Sequence, residues 1–485
     1  MYNYSFYIPV NLDLPKVISQ NPPSFRYNYR DIYKFYHLLH LVNSIPAHSK
    51  ESLTKAGFTC MHSNIMQSFN HEYAAYLKYL VQKGILECDN QYIPEQKSKG
   101  YRFTAQYRNS DLQQIKITKP AICKKLDAEY FSGRKAHPEL ARWFNYKLRL
   151  NYTKAVERNE QFYHENWDIH EPKLLSKYEH NKYKLTEFSN QSFYFQQDEF
   201  AGRIHSNLSN LPKIFRPYVT YDKQPLVCVD IKNSQPYLLT RILQPNFFDK
   251  AARQLIKSGL LYASIADIAM LETKQRKAIA TKKKKGKCKN TPDKLRSMKQ
   301  AQQQAKKLYE NIQQSVASIP EQEMMDYKSA ALGGTLYEMF IQRYTMETGL
   351  IIEKPQAKLF FLKTLFSSPR WGVNNLESGK AIMSKMFPSI FQVIEMSKMM
   401  YKNYLACLLQ SMESNIILHR VATRIAWERP NLPLFTIHDS IVTTLGNQDY
   451  VNNVLLEECL QATGFLPATS IEIWTPEMQS MKLAA

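Results

Sequence analysis

Two aspartates stand at the ends of short apolar runs. In Gln224-Pro-Leu-Val-Cys-Val-Asp230-Ile-Lys-Asn-Ser-Gln235-Pro236 the run LVCVD reads as a buried strand that delivers a carboxylate at its C-terminal end. In Pro433-Leu-Phe-Thr-Ile-His438-Asp439-Ser-Ile-Val-Thr-Thr444 a strand, a His-Asp pair and a second strand predict a hairpin with Asp439 at its turn. An unpaired buried carboxylate is costly, so a metal or another cation should meet each acid. Taken singly, each has a plain structural reading: Asp230 as the cap of a helix starting near Ser234, His438-Asp439 as an ordinary turn. Taken together they form a two-carboxylate site, and converging acids without Cys or His ligands suit Mg²⁺.

Two further segments supply cations. Lys354, Lys358, Leu362 and Phe366 recur every four residues in KPQAKLFFLKTLFSS and share one helical face. Cations suit a triphosphate, and the apolar pair suits the base and sugar above it; the plain alternative is a surface helix with Leu362 and Phe366 packed inward. In AGRIHSNLSNLP, Gly202 allows a tight backbone and Arg203 offers a planar fork of donors.

The elements that must position these groups lie in a chain of 485 residues, 44% hydrophobic, long enough for two to four domains. No apolar run reaches the roughly 18 residues of a membrane span. The N-terminus lacks the basic start and apolar stretch of a secretory signal, and the seven cysteines form neither CxxC nor a zinc pattern, so the expected compartment is the cytoplasm. A net charge of +21 points to a polyanionic partner, nucleic acid before membrane. Residues 1–30 read as an irregular arm. Ile32, Phe35, Leu38, Leu39 and Val42 predict a helix; a second is expected from Ser49 or Ser52 to Gly57, and a third over His71–Lys83. ILECDNQYI and YRFTAQY then form a hairpin with Lys97 and Lys99 at its tip. Three helices and a basic hairpin resemble a winged helix, over 1–106; an ordinary helical subdomain has the same pattern. Residues 107–197 read as a helical, thumb-like connector, with helices near Leu126–Ser132 and Pro138–Asn159. Between 274 and 307 lie 14 Lys or Arg and one acid, Asp293, including Lys282, Lys283, Lys284 and Lys285. This tract is too polar to fold alone and reads as a phosphate-gripping insertion or a solvated loop.

In chain order, EFAGRIHSNLSNLP, LVCVDIKNSQPYLL, KPQAKLFFLKTLFSS and FTIHDSI resemble four motifs of the family-A polymerases, which include Pol I-type DNA polymerases and single-subunit phage-type RNA polymerases. The segment LLQSMESNIILHRVATRI, with Gln410, stands where that family has a helix that reaches the minor groove. The resemblance covers 198–485. It implies an α+β, mostly helical fold: a right-hand polymerase with a palm built on an antiparallel sheet, helical fingers holding the basic insertion, and a thumb. Departures are Lys354 for Arg, Leu362 for Phe or Tyr, Phe366-Ser367 for Tyr-Gly, and Gln235 where the DNA polymerases place a Glu gate against the ribose 2′-OH.

The resemblance implies template-directed extension of a primer 3′-OH from nucleoside triphosphates. Asp230 and Asp439 would hold two Mg²⁺ ions, with Mn²⁺ as a substitute. Lys358 would bind the triphosphate and protonate the leaving group, Lys354 the outer phosphate, Leu362 and Phe366 the nucleotide. Arg203 and Gln410 would contact the primer–template minor groove, and His438 would place the primer end. Gln235 and Phe366 favour deoxynucleotides. No exonuclease triad precedes residue 198, so proofreading is not expected. Two alternatives stay open: an RNA polymerase, primase-like enzyme or template-independent nucleotide adder; and a non-catalytic DNA-binding replication or regulatory protein on a degenerate polymerase body.

Overall fold

In the computed structural model of the chain the described residues are 4–49, 52–94, 97–108, 110–167, 172–198, 201–245, 247, 310–369, 372–373, 375, 378–399 and 403–476. The basic tract with Lys282, Lys283, Lys284 and Lys285 lies outside them. The chain forms two compact units, one of residues 1–196, 205–226 and 474–485, the other of 197–204 and 227–473. The class is α+β and mostly helical. Among the described residues no helix is long and apolar enough to cross a membrane.

The first unit opens with strand β1 (Ser5–Pro9), all five residues buried. Helix α1 (Ile32–His48) buries Phe35, Leu38, Leu39 and Val42, the three-and-four spacing that predicts it. Strand β2 (Thr59–Cys60), helices α2 (Ser63–Phe69) and α3 (Tyr73–Gln82), and strands β3 (Leu86–Cys88) and β4 (Gly100–Phe103) follow. The strands form an antiparallel sheet in the order β2-β4-β3. Phe35 and Tyr76, with ring centroids 4.6 Å apart, join α1 to α3. Strand β5 (Leu112–Lys116) returns to pair antiparallel with β1, Ser5 opposite Lys116 and Pro9 opposite Leu112. The expected irregular arm is therefore in part a strand, fixed by a partner about a hundred residues away. The helix expected up to Gly57 does not form: Leu53 bridges to Thr59, and the Thr54 hydroxyl accepts from the Phe58 N–H at 3.0 Å. That local bond offers the backbone a turn in place of a helix. The connector has a helix over Pro120–Tyr130 and a short one over Pro138–Ala141. The single helix expected over Pro138–Asn159 is interrupted by strand β6 (Leu148–Leu150), and helices α4 (Tyr152–Glu165) and α5 (Pro172–Ser189) and strand β7 (Val219–Tyr221), which pairs with β6, follow.

In the second unit, strand β8 (Gln224–Ile231; its first three residues belong to the first unit) leads into helix α6 (Ser234–Ile242). Helices α7 (Glu321–Gly333), α8 (Leu336–Thr348), α9 (Lys354–Phe366), α10 (Lys380–Met386), α11 (Pro388–Ser397) and α12 (Tyr404–Ser414) follow. From Asn415 to Ala422 the rod that begins as α12 winds as a π-helix, then resumes as α13 (Thr423–Glu428). Strands β9 (Leu434–Ile437) and β10 (Ser440–Thr444) form an antiparallel hairpin, helix α14 (Gln448–Thr463) covers it, and β11 (Thr469–Trp474) ends the fold. The sheet runs β9-β10-β8, with β11 also on β8. Tyr237 on α6 is fully buried, its hydroxyl 2.8 Å from Thr463 Oγ1 and donating to the Phe465 carbonyl at 3.1 Å, which pins α6 to the end of α14. Gly379 starts α10 with φ +73°, and a Cβ there would lie 2.5 Å from Phe360 Cβ. Only glycine lets α10 pack that closely on α9.

Candidate active site

Asp230 sits near the end of β8 and Asp439 in the two-residue turn between β9 and β10, where Ile437 pairs with Ser440. β10 is the neighbour of β8 in the sheet. Across that pair the Ser440 hydroxyl donates to Asp230 Oδ1 at 2.6 Å. Asp230 is thus a strand residue held from the facing strand, and Asn233, with φ +53°, is the residue that precedes α6. His438, exposed, takes φ +53° at the first turn position, where hairpin turns ordinarily use Gly or Asn. A side chain held there costs energy and is characteristic of functional sites.

The centre of the site is a residue that sequence reasoning missed. Glu413, on α12 next to the π-wound stretch, has a side chain only 2% exposed. Its Oε1 accepts from Arg203 Nε at 2.9 Å and Nη2 at 2.6 Å. Its Oε2 accepts from Gln235 Nε2 at 2.6 Å and from the Ser234 hydroxyl at 3.2 Å. Arg203 is itself delivered by a turn in which Asp198 accepts from the Ala201 and Arg203 N–H groups at 2.6 and 2.8 Å. Burial pushes the Glu413 carboxyl up from its ordinary value, against the pull of Arg203, Ser234 and Gln235. π-Helical winding is rare and frequent at functional sites. The available sequence signal was a lone acid inside the apolar run LLQSMESNIIL, which must find a partner if that run is buried.

Asp439 as a residue is half-buried, but its carboxyl is desolvated. Burial, then the like charges of Glu413 and Asp230, hold it well above the usual carboxylate range, while Lys358 pulls the other way. The charges that act on Asp439 are thus those of Glu413, Asp230 and Lys358. On α8, burial and then Asp439 push the Tyr337 hydroxyl up.

Helix α9 contains the whole Lys354-to-Phe366 ladder and buries Ala357, Phe361, Thr364 and Leu365. Lys354 and Lys358 are exposed, and Leu362 and Phe366 half-buried, so the four-residue ladder lies off the core face. Lys354 pairs with Glu338 on α8. Gln410 is half-buried three residues before Glu413. Arg203, expected on the minor groove, is 20% exposed and bound to Glu413. In the first unit Lys97 Nζ donates to Asp89 at 2.8 Å and to Gln91 at 2.5 Å, whereas Lys99 is exposed.

Among the described residues no three Asp, Glu, His or Cys side chains are arranged as a metal-binding group. Mg²⁺ is ordinarily bound by one or two carboxylates plus substrate phosphates, not by an all-protein cage. An oxygen-only donor set whose Asp439 carboxyl is crowded by two like charges is chemically matched to a hard cation.

No family model matches the chain, and no curated protein matches it in sequence. Among solved structures it is similar, at TM-score 0.26 and 14% identity, to the polymerase domain of Pol1 from M. smegmatis in complex with DNA primer-template and dNTP, over 66% of this chain and 56% of that one.

Proposed function

We propose that the chain is a nucleotidyltransferase that extends a primer 3′-OH on a nucleic-acid template, using deoxynucleoside triphosphates. The observation that carries this reading is the union of two strand-end acids from distant segments: Ser440, next to Asp439, reaches Asp230 at 2.6 Å, and Asp439 feels Asp230, Glu413 and Lys358.

Asp230 and Asp439 are the residues that would hold Mg²⁺. Bound there, the ions supply Lewis-acid activation of the attacking hydroxyl and charge neutralisation of the pyrophosphate. The chain's own residues do the rest by position and charge, as in-line phosphoryl transfer requires. Ser440 orients the Asp230 carboxylate. Lys358, exposed on α9 and within electrostatic reach of Asp439, binds the triphosphate and gives a proton to the leaving oxygen. Lys354 reaches the outer phosphate after leaving Glu338, and Leu362 and Phe366 pack on the nucleotide. His438 and Gln410 lie against the primer–template. The stem of Gln235 fills the space a ribose 2′-OH would need. Lys99 and the Lys282–Lys285 run add phosphate contacts. The helices and β2-β4-β3 sheet of the first unit support a winged-helix reading of that region.

Primer extension with separate dNTP and NTP pools tests the proposal. Wild type should extend with dNTPs in Mg²⁺. Asp230→Asn and Asp439→Asn should each abolish extension while primer–template binding stays near normal. Extension by either variant at wild-type rate would end this reading.

A further inference from the structure

The pose of Gln235 is imposed on it. A carboxylate oxygen only accepts, so Gln235 must turn Nε2 toward Glu413 Oε2, 2.6 Å away. That leaves Oε1 buried with no hydrogen-bond partner among the described residues, in a residue only 9% exposed. An orphaned buried acceptor is uncommon and calls for a cause. The cause is Glu413, which overrides the amide's own requirement. Glu413 has little freedom to yield, because Arg203 grips its other oxygen through two nitrogens and Ser234 shares Oε2.

We infer that Glu413 is a positioning residue that sets sugar discrimination through Gln235, resting on the polymerase reading above. It touches no nucleotide itself. Arg203 anchors Glu413, Glu413 anchors the Gln235 amide, and the Gln235 stem is thereby held as a fixed obstacle at the sugar. Without the anchor, Gln235 can turn to satisfy Oε1 and the obstacle becomes mobile.

The test is single-nucleotide incorporation by the full chain on a primer–template in Mg²⁺, comparing kcat/KM for a dNTP and its matching NTP. Gln235→Ala should lower the dNTP-over-NTP ratio. Glu413→Gln should lower it roughly 3- to 10-fold, the worth of one hydrogen bond on a positioned side chain, and should do nothing more in the Gln235→Ala background, because the two act in series. Glu413→Gln leaves Arg203 without its carboxylate. The double variant Arg203→Gln with Glu413→Gln removes both charges and should show the same loss of ratio if the single one folds poorly. Glu413→Asp, which keeps the charge, should recover part of the ratio. If the Glu413 variants depress kcat/KM equally for both sugars, the role is structural and the inference falls while the reaction stands. If wild type incorporates from neither pool, the proposed reaction falls and the inference with it.

Discussion

Two charge clusters of opposite sign among the described residues of the second unit invite comparison. Around Asp439, three carboxylates (Asp230, Asp439 and Glu413) face two cations, Arg203 and Lys358. Between α9, α10 and α11, two ammonium groups face one carboxylate. Lys380, with a side chain 1% exposed, and Lys398, 0% exposed, approach Glu395 at 2.9 and 2.6 Å. The lysine excess is met inside the protein: Lys380 Nζ donates to the Ser368 carbonyl at 3.0 Å and Lys398 Nζ to the Thr364 carbonyl at 2.8 Å. Those carbonyls lie at the C-terminal end of α9, the negative end of the helix dipole. Among the described residues Arg203, Ser234 and Gln235 answer Glu413, and Asp439, despite a backbone hydrogen bond and Lys358, keeps a carboxyl that burial, Glu413 and Asp230 disfavour as an anion. A cluster balanced by its own backbone is a structural joint. A cluster left with an excess of acid is, under the proposed reaction, the one that a cation would complete.

The comparison breaks most visibly if the acids prove dispensable. Asp230→Asn or Asp439→Asn should cut single-turnover incorporation about a thousandfold or more, at least ~4 kcal/mol of barrier, while the protein folds normally. A substantial loss of stability with modest loss of rate would mean that the acid cluster is a joint as well. The lysine cluster should behave in the reverse way. Glu395→Gln strands two buried ammonium groups and should cost about 3–5 kcal/mol of stability, the usual penalty for breaking a buried ion pair from one side. Urea unfolding reads this directly, and a cost under ~1 kcal/mol would show that the backbone carbonyls alone suffice.

Lys398 sharpens the contrast through pH. Burial pulls its pKa from 10.5 to about 8, with Glu395 opposing and Lys380 adding to the fall. Between pH 8 and 10.5 the unfolded chain therefore binds more protons than the native one, so stability rises with pH across that window and is flat with respect to this group below it. The slope is bounded at about 1.4 kcal/mol per pH unit. Lys398→Met should remove the rise and change stability at pH 7 by no more than ~1 kcal/mol, since losing a charge that burial disfavours offsets losing the bond to Thr364. A rise that persists in Lys398→Met would assign it to another group.

The contrast between the clusters also marks what the sequence could reveal. Asp230 and Asp439 were legible because each ends an apolar run, and a strand that stops on an acid is a local pattern. Helix α9 was legible from the four-residue ladder, whose first and last members, Lys354 and Phe366, are the ends of the helix. Glu413 does not stand out from Gln410, three residues earlier on the same helix, because nothing local says which polar residue of an apolar helix faces a partner. Its partners Arg203, Ser234 and Gln235 lie about 180 to 210 residues away in sequence. Strand β6 falls inside an expected helix because three residues between two helical patterns are too few to show a period of two. β1 shows no strand signal of its own because residues 1–30 carry several prolines and little period, and its partner β5 is remote. Local periodicity was readable; long-range pairing and charge balance were not.

The smallest expected effect concerns Ser440, which has no ionisable group to add to the acid excess. It is buried, and its hydroxyl donates to Asp230 Oδ1 at 2.6 Å. A hydrogen bond to a charged group contributes on the order of 1.5–3 kcal/mol when shielded. Asp230 is half-buried, so solvent can replace part of the bond, and ~1 kcal/mol is the reasonable scale. Ser440→Ala should therefore slow incorporation about 5-fold and raise the Mg²⁺ concentration needed for half-maximal rate, with stability little changed. Ser440→Thr keeps the donor on the same atom and suits a strand, so it should recover most of the rate. If Ser440→Ala instead leaves the Mg²⁺ dependence untouched, Asp230 needs no help from β10. The contact across the sheet would then join two strands and do no more, as the lysine cluster joins its helices.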